Sequence, residues 1–179
     1  VNLCSKSWLE HNVSNTVHIK PDEWDDVVIN GTINYNINYW FPAYTLILGI
    51  PGETDEDLKD TIKLLHRMET EIPDKIGKEK SHFVTVPLSF IPAGTMRGDS
   101  FFDVDKEMTE LRFFVLYISW KHIVNELSHA SPGVVKGMLS KALLYTSALP
   151  TFLILVHFLK SWAHKKGYDL SKIDKIINS

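Results

Sequence analysis

Cysteine is nearly missing from this chain: Cys4 is the only one in 179 residues. One thiol excludes an internal disulfide and any thiolate cluster held by this chain alone, and it fits a reducing, cytoplasmic setting. An excess of positive charge is missing too, with 19 Lys and Arg against 22 Asp and Glu and a formal net charge of −3. Binding along nucleic acid wants a net basic surface, so nucleic acid is not an expected partner. The best local basic cluster, Lys160 to Lys166, is thin. No secretory signal is visible at the amino end, and a start at Val1 leads us to expect a piece of a longer polypeptide. Between Ala142 and Leu159 there is no Lys, Arg, Asp or Glu. That length touches the lower limit for a membrane span, roughly 17 to 25 residues. Pro150 at its centre, with Ser, Thr and Tyr around it, predicts two helical pieces packed on protein or resting on a membrane surface.

What is present suits a folded domain, because 44% hydrophobic residues with 23% charged is enough to build a core. Residues 1 to 20 show no period and read as an extended or loop segment. Residues 21 to 39 carry two conflicting signals. Pro21-Asp-Glu-Trp24 opens like a helix, with proline first and acids in the first turn. Against that, Asn30-Gly31 is a hairpin turn signal, and Ile33, Tyr35, Ile37 and Tyr39 alternate as in a half-buried strand. Local physics slightly favours the hairpin.

Ala43-Tyr-Thr-Leu-Ile-Leu-Gly49 is an uninterrupted apolar run of the kind that forms a strand covered on both faces. Gly49, Pro51 and Gly52 break it, and Thr54 three positions before Asp57 signals a capping box. Over residues 55 to 70, Leu58, Ile62, Leu65 and Met68 share one helical face. A lysine-rich loop then leads into a second buried strand at residues 82 to 91. Two such strands joined by one helix imply a parallel crossover. Its carboxyl end runs into Pro92-Ala-Gly-Thr-Met-Arg-Gly-Asp99, and ligands sit at such ends in parallel α/β folds. From Asp105 the pattern is helical, with Met108, Leu111, Val115 and Ile118 on one stripe and Ser131-Pro132 starting another helix.

The segment Leu46-Ile-Leu-Gly-Ile-Pro-Gly-Glu-Thr-Asp-Glu-Asp57 resembles the fifth strand, loop and following helix of radical S-adenosylmethionine enzymes. Pro21-Asp-Glu-Trp24 before it and Val86-Pro-Leu-Ser-Phe-Ile-Pro-Ala-Gly94 after it are similar to the wording of the cobalamin-associated branch. Together they cover roughly residues 20 to 125 in the family's order. The resemblance implies a helix at residues 22 to 38 in place of the hairpin. It also implies the carboxyl-terminal half of a TIM-like (β/α) barrel over residues 1–104, followed by a helical extension over 105–179.

In that family a four-iron, four-sulfur cluster is held by a Cys-x3-Cys-x2-Cys loop, and its open iron binds S-adenosylmethionine. Cys4 lies far from where that loop belongs. The resemblance therefore implies an iron-sulfur oxidoreductase as the parent, with cobalamin as a further candidate cofactor, and a chain that is inactive by itself, with no catalytic and no metal-binding residue. Ile47, Gly49, Ile50, Gly52 and Glu53 match the segment lying against the adenine, while Leu88, Phe90 and Pro92 match the strand whose backbone meets the adenine edge. Each has a plainer role as core, turn or helix-dipole partner.

A half-barrel would leave open strand edges, so a homodimer or higher homo-oligomer is expected, or cover by the missing amino-terminal half of the parent. The competing expectation is a non-enzymatic interaction module derived from a half-barrel, docked on a membrane surface through residues 142 to 159. His122 with His129, and His157 with His164, fall seven apart without an acid at zinc-motif spacing, and read as solvated or capping side chains. Tyr35, Tyr39, Trp40, Phe41 and Tyr44 lack basic neighbours and read as core.

Overall fold

In the computed structural model of the chain, residues 2–3, 23–92, 101–129 and 143–179 are described. The apolar run forms strand β2 (Ala43–Leu48), and the run after the lysine-rich loop forms β3 (Val84–Ser89). They pair in parallel from Ala43↔Val84 to Leu48↔Ser89. A two-residue strand β1 (Asn2–Leu3) adds to the other edge of β2, giving the order β1-β2-β3. Helix α1 (Trp24–Ile37) precedes β2, and α2 (Asp55–Ile76) crosses from β2 to β3. The described elements after β3 are helices: α3 (Val104–Glu107), α4 (Glu110–His129), α5, which is a π turn Leu144–Ala148 running into Leu149–Lys166, and α6 (Lys172–Ile177).

The partial barrel expected from the resemblance is therefore corrected. The described molecule is mostly helical, with a small parallel sheet, whose first strand is only two residues long, in place of a half-barrel. The β2–α2–β3 wording specifies one crossover and carries no information about how many repeats follow it. After β3 the chain returns as α4, which packs on β3 and α2 and adds no strand.

Helix α1 wins over the hairpin through contacts that local pattern cannot contain. Thr32 is fully buried and donates its hydroxyl proton to the Val28 carbonyl at 2.8 Å, so the 2.6 Å bond to the Tyr44 hydroxyl is donated by the tyrosine. Buried Asn36 donates to the carbonyls of Trp40 and His82 at 3.0 and 2.7 Å and accepts from the His82 N–H at 3.0 Å. One amide thus ties the end of α1 to the approach to β3. Arg67 on α2 adds ion pairs to Asp25 and Asp26 on α1 at 3.4 and 2.8 Å.

Helix α2 starts as its capping signal requires. Thr54 accepts from the Asp57 N–H at 3.3 Å and Asp57 accepts from the Thr54 N–H at 2.8 Å, an arrangement worth about 1 kcal/mol. The helix runs past residue 70 to Ile76, carrying Pro73 in its last turn. Its stripe of Leu58, Ile62, Leu65, Met68 and Ile72 is buried against Tyr44, Leu46 and Leu48 of β2 and Phe113, Phe114 and Tyr117 of α4. Pro150 follows a π turn in which the Leu149 N–H bonds the Leu144 carbonyl, and the chain stays helical through it, so residues 144–166 form one helix and not two. The Ser131-Pro132 helix start lies outside the described residues.

Burial alternates along β2, with Tyr44, Leu46 and Leu48 buried and Ala43, Thr45 and Ile47 less so. The strand is thus fully covered on one face only, against the two-sided burial that its apolar run suggests. The expectation that the aromatic run is core holds for Tyr44 alone. Tyr39 is 98% exposed in a left-handed conformation (φ 63°), and Tyr35, Trp40 and Phe41 are exposed with it.

Candidate functional site

The carboxyl ends of β2 and β3 bring the sequence-derived residues into two groups. Ile47 and Leu88 are register partners on the sheet face that the described helices leave uncovered, Ile47 half-buried and Leu88 46% exposed. They form a small apolar wall. Pro92 is half-buried beyond β3. Gly49 (φ +78°) and Gly52 (φ +83°) hold the left-handed turns that carry the chain from β2 into α2, conformations that side chains rarely adopt. A Cβ on Gly52 would meet open space, whereas one on Gly49 would strike the Phe102 ring. Ile50 is half-buried, and its carbonyl accepts from the Glu53 N–H at 2.9 Å, closing the turn.

Glu53 belongs to the second group and is an anchor. Its side chain is only 7% exposed, and Oε2 accepts from Arg112 Nε at 2.7 Å and from the Gly49 N–H at 3.2 Å. Burial pushes the Glu53 carboxyl up, while the Arg112 bond and charge pull it down. The short guanidinium bond identifies a carboxylate–guanidinium pair. Arg112 also donates to the Glu107 carbonyl at 2.7 Å and lies over the Phe102 ring at 5.4 Å. Phe102, itself 7% exposed, donates its N–H to the Phe90 carbonyl at 3.4 Å, and the Phe90 N–H bonds the Leu48 carbonyl at 2.9 Å. Phe90 is buried with both backbone groups engaged, so its carbonyl meets a ligand only where Phe102 leaves. Phe102 and Arg112 were not legible as site residues, because each is defined by a contact more than fifty positions away along the chain.

A separate polar cluster joins α2, α4 and the start of β3. His122 is buried and stacked on Phe83 with ring centroids 4.1 Å apart, which corrects the solvated or capping role expected of it. Nδ1 faces Glu69 Oε1 at 2.8 Å and Nε2 faces the Phe83 carbonyl at 2.9 Å. The Phe83 carbonyl only accepts, as does an ionised Glu69, so this pair of bonds favours the ring with both nitrogens protonated. Desolvation pulls its pKa down, yet the Glu69 bond and charge, the Phe83 carbonyl and the Glu126 charge together hold it above the ordinary value. Glu126 Oε1 lies 4.0 Å from His122, and its Oε2 faces His82 Nδ1 at 3.2 Å. A cavity of about 300 Å³ opens beside the cluster, lined also by Lys78, Ser81 and Asn125. His157 and His164 are exposed on α5.

Two outcomes follow from these pairs. Arg112→Met leaves the Glu53 carboxylate buried without its cation and lowers unfolding free energy by about 3 kcal/mol in urea titrations, while Glu53→Gln added to it restores part of the loss. An imidazolium favoured by the folded state stabilises the protein below the ordinary histidine range, and that stabilisation fades as pH rises through the raised folded value. Urea midpoints should therefore fall across that window in the wild type, and the fall should shrink in His122→Gln. A search against family models finds no match for this chain, and neither the curated proteins nor the solved structures give one.

Proposed function

We propose that this chain is the carboxyl-terminal portion of a radical S-adenosylmethionine iron-sulfur oxidoreductase of the cytoplasm, catalytically silent by itself. The observation that carries the reading is the parallel pairing of 43–48 with 84–89 around a capped crossover helix, with Gly49 and Gly52 in left-handed turns at the strand ends. That is the order in which the resemblance places the family's adenosine-facing segments.

The residues present do not fit an iron-sulfur cluster. One cysteine cannot supply three thiolates, and among the described residues no three His, Cys, Asp or Glu side chains are placed to hold a metal ion. The cluster and the methionine end of the cofactor belong to the missing amino-terminal half, and no catalytic step is assigned here. The fit to the adenosine end is better: Ile47 and Leu88 offer an apolar wall for a flat ring, and the open space at Gly52 leaves room for approach. Glu53 contributes by holding the loop, since its carboxylate is already committed to Arg112 and Gly49.

Three measurements bear on this reading. The genomic frame upstream of Val1 should encode a Cys-x3-Cys-x2-Cys loop, and a complete parent without one overturns the assignment. Calorimetry should detect weak, saturable binding of 5′-deoxyadenosine that Leu88→Glu abolishes, since that side chain is exposed and its replacement spares the fold. No heat from the wild type would remove the adenosine wall. Among the described residues β3 pairs on one side only, so in isolation its outer edge recruits a second copy, and a concentration-independent monomer in sedimentation equilibrium would contradict that.

A further inference from the structure

The outer surface of α5 is apolar at one end and basic at the other. Residues 144–166 make one helix long and apolar enough to cross a membrane, yet only 11% of its apolar window is buried in the protein. Its inner face is fastened: Leu159 and Ala163 are in the core, Trp162 packs on Phe113 with centroids 5.0 Å apart, and Phe152 stacks on Trp120 at 5.5 Å. Its outer face carries Leu153, Ile154 (70% exposed) and Phe158 (62% exposed), continued by exposed Leu143 and Tyr145. Beyond Phe158 the exposed positions become Lys160, His164, Lys165 and Lys166. Asp and Glu are absent from 142 to 168.

We infer that α5 is a docking surface for an anionic lipid bilayer, lying in the interface with Leu153, Ile154 and Phe158 in the acyl boundary and its lysines among the headgroups. Charge selects this occupant. A second copy laid on the same face would bring three lysines per chain to an interface that offers no carboxylate from either helix, whereas anionic headgroups supply the missing charge. Spanning is disfavoured by the same structure, since crossing would strip Phe152, Leu159, Trp162 and Ala163 from their places on α4 and in the core. Surface insertion keeps those contacts and covers only what is already exposed. Segregation along the axis gives an oblique pose, the amino-terminal turns deeper than the lysine-bearing turns.

The inference does not rest on the radical S-adenosylmethionine reading, and vesicle co-sedimentation of the full chain tests it. The wild type should bind vesicles of phosphatidylcholine with phosphatidylglycerol and should bind pure phosphatidylcholine much less. Ile154→Glu and Phe158→Glu should each weaken binding about tenfold or more, with circular dichroism melts unchanged because both side chains are exposed. Replacing Lys160, Lys165 and Lys166 by Gln should cost on the order of a hundredfold at low salt and little at high salt. Absence of binding to the anionic vesicles overturns the inference. So does binding indifferent to Ile154→Glu, or a wild-type dimer that Ile154→Glu dissociates without any lipid binding.

Discussion

Burial of Tyr44, Leu46 and Leu48 beneath α1, α2 and α4 is the constraint on which the other parts of the molecule depend. A parallel pair is stable only when the crossover that joins its strands also covers it, and α2 does so with a stripe of five large apolar residues. Once that layer is in place α4 has one position left, against β3 and α2, and α5 and α6 close over α4 and α2. The other face of the sheet receives no such layer among the described elements, which leaves Ile47 and Leu88 as a wall. Function, on the reading proposed here, begins where this one-sided packing stops.

Polar groups in the interior fix which helix sits where, a decision that apolar contact alone leaves loose. Asn36 joins α1 to the start of β3, Glu53 with Arg112 joins the β2–α2 loop to α4, and His122 with Glu69 joins α4 to α2. Each lone partner would be costly to bury, so each pair rejects arrangements in which the partner is elsewhere. Glu110 does the same at the surface, accepting from the Asp169 N–H and from Lys172 while the Tyr168 hydroxyl bonds the Met108 carbonyl. The carboxyl-terminal elements are thereby held to the start of α4.

The resemblance and the structure meet at one unit and part beyond it. Gly49-Ile-Pro-Gly-Glu-Thr54 folds as a strand-to-helix turn with a cap, as its wording requires. The half-barrel extrapolated from it does not form, because a barrel is a property of repeated units and, among the described residues, no strand follows β3. Phe102 also changes the meaning of Gly49: the glycine that would admit a ligand ring is occupied by a ring of the chain itself, held by the Phe90 carbonyl and the Arg112 guanidinium.

By itself the sequence determined those features whose cause lies within a few residues: the capping box of α2, its buried stripe, the break at Gly49 to Gly52, the two strands, and the lack of thiolates for a cluster. Tertiary structure alone decided the rest. Residues 24–37 form the helix that the resemblance implied against their strand-like alternation, but its physical cause, burial of Thr32 and Asn36 against partners on β2 and before β3, lies outside any window of sequence. The apolar run of β2 could not say that one face would stay uncovered, nor could the seven-residue spacing of His122 reveal the carboxylate and carbonyl that face its two ring nitrogens. Whether an apolar helix such as α5 is core or surface is likewise a matter of what packs beside it, since its composition is the same in both places.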